Sequence, residues 1–189
     1  MLSQGNAFML APTPSPTPRL WTPSGFRSDE WRRADDASAL AGNGRFILPL
    51  AVVAGLDPAE RRLAKDRLGV LVQPGEPIET LADVLPDVVL VALAFPAFND
   101  GRSFSKAELL RSRYGFDGAV RAVGQVLVDQ LPHMLRLGFD EFEVTDPVLL
   151  ARLERGETGG IAQHYQPTAA EAAAPDRGAA YSWRRSRRP

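Results

Sequence analysis

The 189 residues carry 23 acidic and 22 basic side chains, a formal net charge of -1, with 44% hydrophobic content. Such a balance argues against a protein that coats nucleic acid, which would normally be basic over the whole domain, while the apolar fraction suffices for a buried core. No cysteine is present, which removes disulfides, thiolate nucleophiles and cysteine-held zinc or iron–sulfur clusters.

Met1 to Leu10 has neither a basic stretch nor a continuous apolar run, so no secretory signal is expected there. No run reaches the roughly 18 apolar residues of a membrane helix, and a soluble, cytoplasmic protein is expected. Prolines at 12, 14, 16, 18 and 23 predict an extended leader, with residues 1–44 outside the folded core. The stretch 166–189, rich in Ala, Pro and Gly and ending in WRRSRRP, predicts a solvated tail. The folded domain is expected over 45–165.

Within that span strands and helices alternate. Phe46–Val53 reads as a strand, with Pro49 suggesting a sheet edge. Asp57, Pro58 and Glu60 open a helix whose Leu56, Ala59 and Leu63 share one face. Gly69–Val72 reads as a strand, Ile78–Leu85 as a short helix, and Val88–Phe95 as a strand buried on both faces. Ser105-Lys-Ala-Glu108 looks like a capping box. Ala119–Val123 is the next strand. Leu127, Leu131, Met134 and Leu135 mark a helix that Gly138 ends. Phe142–Val144 is the last strand, and Asp146-Pro147 caps a final helix. Repeated strand–helix–strand units predict an α/β domain of three layers with four or five mostly parallel strands, or alternatively a partial β/α barrel.

In parallel sheets ligands sit beyond the carboxyl ends of strands. The polar clusters here fall at such ends: Asp100, Gly101, Arg102 and Ser105, then Asp129 and Gln130. Asp100-Gly101-Arg102 makes a turn before a helix start, where free N–H groups favour an anion and the arginine fork suits an oxyanion. Arg121, inside its strand, needs a carboxylate, and Asp100 or Asp129 is the expected partner. Three uses of this constellation stand side by side: an internal arginine–carboxylate network, an anion site and a partner-binding surface. His133 and His164 have no metal-ligand spacing, so no metal site is expected, and no phosphate-binding glycine motif occurs.

Phe95 to Val144 carries Phe-Pro-x-Phe, a polar residue and Asp-Gly-Arg, then Leu-Leu-Arg-x-Arg over 109–113, Arg121-Ala-x-Gly124, Asp129-Gln130 and Arg136-x-Gly-Phe-Asp140. This ordered run resembles the bacterial family of domain of unknown function 934. The resemblance implies a companion of assimilatory sulfite reduction, with sulfite or sulfate as the trial oxyanion and sulfite reductase as partner. Members are also labelled oxidoreductases of that pathway, which would need a cofactor held without cysteines. The cofactor itself is left open, and a flavin phosphate held at the Ser105 helix start is one example of such a binding mode. An accessory role is the favoured expectation and direct catalysis the alternative.

Overall fold

The computed structural model describes residues 17–160. Eight strands form one sheet: β1 (Arg19–Thr22), β2 (Gly25–Arg27), β3 (Trp31–Arg33), β4 (Arg45–Pro49), β5 (Leu68–Val72), β6 (Leu90–Phe95), β7 (Ala119–Gly124) and β8 (Glu141–Val144). The order across the sheet is β2-β1-β8-β7-β6-β5-β4-β3. From β3 to β8 every strand lies parallel to the one before it in sequence, whereas β1 and β2 add antiparallel at the β8 side.

This one-directional winding places all crossovers on one face. Five helices cover it: α1 (Leu50–Gly55), α2 (Pro58–Ala64), α3 (Arg102–Ser112), α4 (Leu131–Leu137) and α5 (Pro147–Glu154). Their buried residues, among them Val53, Leu110, Met134 and Leu149, join Leu48, Val70, Leu93, Val120 and Phe142 of the strands in one core. The opposite face holds a second, smaller cluster built from Trp31, Ile47, Leu90, Ala92, Ala94 and Val123, with no helix in it. The arrangement therefore has two layers rather than three, and eight strands rather than four or five.

The sheet is strongly curled. Its two edge strands, β2 and β3, are joined by only Ser28, Asp29 and Glu30. Seven strand spacings in a flat sheet would put those edges about 34 Å apart. Four Cα steps reach at most about 15 Å. The sheet must bend into an incomplete barrel, with residues 28–30 strapping its open side, as the partial-barrel alternative anticipated. A small-residue lining makes room inside: a Cβ on Gly69 would stand 3.2 Å from Ile47, Leu90 and Trp31 alike.

Several expectations need correcting. The ordered sheet begins at Arg19, so the segment expected as leader supplies three strands. That leader's first 16 residues and the tail expected from 166 lie outside the described residues. Strand β4 stops at Pro49 and lies one position in from the edge, and Leu50–Val53 is helical instead. Ile78–Leu85 is replaced by two short 3-10 turns, Ile78–Leu81 and Leu85–Asp87. On α2 the buried residues are Arg61 and Ala64, while Leu63 is 88% exposed. The helix caps at Asp57 and Asp146 and the left-handed Gly138 stand where expected. Among the described residues no helix is long and apolar enough to cross a membrane.

Candidate functional site

The loops leaving β6 and β7 meet at the carboxyl end of the sheet because Gly124 permits it. Its φ of +101° belongs to glycine, and a Cβ there would fall 2.3 Å from the Phe95 carbonyl oxygen. Gln125 N donates to that carbonyl at 2.8 Å. The Gln125 Oε1 accepts from Phe98 N at 3.1 Å, and Gln130 Nε2 donates to Phe98 O at 2.6 Å. Gln130 also accepts from Leu127 N. Clamped on both sides of its backbone, Phe98 leaves its side chain in solvent, 55% exposed.

Beside it, Asp100 accepts from Arg102 three times: from the backbone N, from Nε at 2.9 Å and from Nη2 at 2.7 Å. The Arg102 hydrogen bond holds the Asp100 carboxyl down to about 2 despite some desolvation. The same pairing raises the Arg102 pKa. The Arg102 side chain remains 64% exposed. Gly101 is the N-cap of α3, so the helix starts four residues earlier than a cap at Ser105 would place it. Ser105 sits within the first turn, donating to Arg102 O at 3.3 Å, and the expected capping box does not form. Ser103 instead anchors the helix by donating to Ala94 O at 2.8 Å. Lys106 is buried, with Nζ donating to Gln73 O at 2.6 Å and Pro74 O at 3.0 Å. Burial lowers its pKa, which Glu76 partly offsets.

Arg121 lies elsewhere. Its side chain is 0% exposed and points into the concave interior, where Nη1 meets Asp29 of the strap at 2.8 Å. Nε donates to Glu141 Oε2 at 2.8 Å, and Glu143 Oε1 lies 3.5 Å from Nη1. The expected partners, Asp100 and Asp129, are not used. Burial alone would lower the Arg121 pKa, but the hydrogen bonds and charges of Asp29 and Glu141 raise it. Glu143 is pushed up by burial, against the pull of Arg33 and Arg121. Sequence reasoning missed Asp29, Glu141 and Glu143. The signal was the alternation Glu141-Phe-Glu-Val144, which puts two carboxylates on the face opposite Phe142 and Val144.

A family model described as bacterial protein of unknown function (DUF934) matches residues 69–175, more than half of the chain. The protein belongs to the DUF934 family. The matched stretch contains the Phe98–Arg102 loop, Arg121 and both glutamates of β8, while Asp29 and Arg33 precede it. A search of curated proteins finds no match to the chain.

In this DUF934 protein the expected constellation divides into three. Asp100, Gly101, Arg102, Ser105 and Gln130 share the carboxyl end of the sheet, through the Phe98 loop and the start of α3. Arg121 is enclosed in the barrel interior. Asp129 faces a separate groove with Pro132, His133 and Arg136. No group of three or more metal-ligating side chains occurs among the described residues.

Proposed function

We propose that this DUF934 protein is a cytoplasmic accessory factor of assimilatory sulfite reduction that works by docking rather than by turnover. The pathway comes from the resemblance of Phe95 to Val144, and the docking site from the geometry of the Phe98 loop. One observation carries the reading. An exposed phenylalanine is clamped through both its backbone groups beside a largely exposed arginine. Aromatic and arginine side chains held rigid before binding are the groups that dominate protein interfaces, since little ordering entropy remains to be lost. The polar groups nearby with catalytic chemistry are already engaged: Lys106 by two carbonyls, Ser103 by Ala94 O, and Asp100 by Arg102. With no cysteine in the chain, neither a persulfide nor a thiolate-held cluster is available to it.

The partner expected at this corner is sulfite reductase. The test is co-purification of the reductase with the full chain, repeated with Phe98→Ser and Arg102→Glu. Capture by the unaltered chain, lost in both variants at unchanged thermal stability, supports docking. Equal capture by all three, or no capture, overturns it. Stoichiometric flavin or nicotinamide in the purified protein would favour direct catalysis, and saturable sulfite binding lost in Arg102→Glu would favour an oxyanion site at this corner.

A further inference from the structure

On the helical side of the sheet, Arg136 of α4 and Arg152 of α5 line a groove of about 320 Å³. Its other walls are Asp129, Pro132, His133 and the segment at Gly159 and Gly160. Both glycines have positive φ, +71° and +100°. A Cβ on Gly159 would lie 3.7 Å from Arg152 Nη2, and one on Gly160 3.0 Å from Pro132 Cβ. The backbone after α5 thus turns back against both helices and walls the groove.

Among the described residues, two buried side-chain nitrogens lack a hydrogen-bond partner: Arg136 Nε and Arg152 Nε. Buried donors are nearly always satisfied in folded proteins, so each exception points to an acceptor that the described residues do not supply. Here both exceptions belong to side chains that line one groove. Neighbouring groups do not fill the need. Arg136 Nη2 lies 3.1 Å from His133 Nδ1, which leaves Nε unserved. Glu157 Oε2 stands 3.6 Å from Arg152 Nε, outside hydrogen-bond reach, and that carboxylate is held by Arg155 at 2.8 and 3.0 Å.

We propose that the groove between α4 and α5 is a binding site for a small molecule bearing a phosphate or sulfate group, held between Arg136 and Arg152. Arginine forks match such oxygens in geometry as well as in charge. The groove is larger than a bare ion needs and falls at the lower end of small-molecule sites. Asp129, which also lines the groove, opposes surplus negative charge and can accept from a hydroxyl or ammonium on the molecule's body. The site uses none of the residues of the proposed docking corner and stands or falls separately from it.

Inorganic phosphate and inorganic sulfate serve as probes, titrated into the full chain while the arginine Nε–H resonances are followed by NMR. Saturable shifts confined to Arg136 and Arg152, absent with chloride at equal ionic strength, are expected. Arg136→Gln and Arg152→Gln should each weaken binding about tenfold, the loss of one charge-assisted hydrogen bond. Asp129→Asn should strengthen it, and Arg62→Gln, at an exposed position of α2, should leave it unchanged. Shifts that grow linearly with ionic strength, appear equally with chloride, or persist in both arginine variants would overturn the site.

Discussion

Arg33 on β3 forms an ion pair with Glu143 on β8, although five strand spacings separate those strands in the sheet. A flat sheet would hold them about 24 Å apart, so the pair exists only because the sheet curls. Asp29 on the strap and Arg121 on β7 complete the same crossing. The interior of this incomplete barrel is therefore closed partly by charge. Three carboxylates (Asp29, Glu141 and Glu143) and two guanidiniums (Arg33 and Arg121) converge where a fully closed barrel would have apolar side chains in layers.

Arg121→Met should cost about 3–5 kcal/mol, because it leaves carboxylates facing one another without their buried cation. Urea denaturation measures the loss. Adding Asp29→Asn and Glu141→Gln to the same chain should recover most of it, since neutral groups no longer need the charge. A loss below about 1 kcal/mol from the single change would show that the strap closes without Arg121.

On α2, Leu63→Ala should change stability by less than about 0.5 kcal/mol, as expected for an exposed position. Arg61→Ala on the same helix should cost about 3 kcal/mol. Arg61 is buried, pairs with Asp87 at 3.3 Å and donates to Leu56 O at 3.2 Å. Thermal melts of the two variants, compared side by side, check which face of α2 is inward.

That inversion shows where sequence reasoning stopped. Central strands such as Leu90–Phe95 and the caps at Asp57 and Asp146 were readable because burial and end effects act locally. Arg61 was not, because its burial depends on Asp87 and on carbonyls brought there by the fold. The first three strands, three to four residues each, are too short for a pattern of their own and exist by pairing, β1 with β8, β2 with β1 and β3 with β4. The candidate site divides similarly. The Asp100–Arg102 turn is local in sequence, whereas one of the partners of Arg121, Asp29, is 92 residues away on the strap. In the sequence Phe98 is legible only as part of the Phe-Pro-x-Phe motif. Its role rests on Gln125 and Gln130, supplied by the next loop.

Gly124→Ala should destabilise the fold by about 1–3 kcal/mol from backbone strain, with the 2.3 Å approach to Phe95 O adding to it. The sharper readout is local. Amide hydrogen exchange at Phe98 and Gln125 should accelerate more than at Val91 in the strand centre. Uniform acceleration would mean that Gly124 supports the whole sheet rather than the clamp on the Phe98 loop.

Glu143 and Asp100 should act on stability in opposite directions and in separate pH windows. Burial raises the Glu143 pKa above its ordinary 4.5, so the folded state keeps a proton that the unfolded chain releases first. Its contribution is fully present below 4.5 and is lost as pH rises through the folded value. Asp100, held to about 2 by Arg102, contributes above the ordinary 3.8 and loses that contribution as pH falls through 2. Glu143→Gln should therefore gain stability relative to the unaltered chain as pH climbs from 4.5, with no such trend for Asp100→Asn. Asp100→Asn should instead lose its deficit as pH drops below 3.8. Urea denaturation across pH 2.5 to 8 reads both differences. A pH-independent gap between Glu143→Gln and the unaltered chain would mean that Arg33 and Arg121 fully offset the burial of that carboxylate.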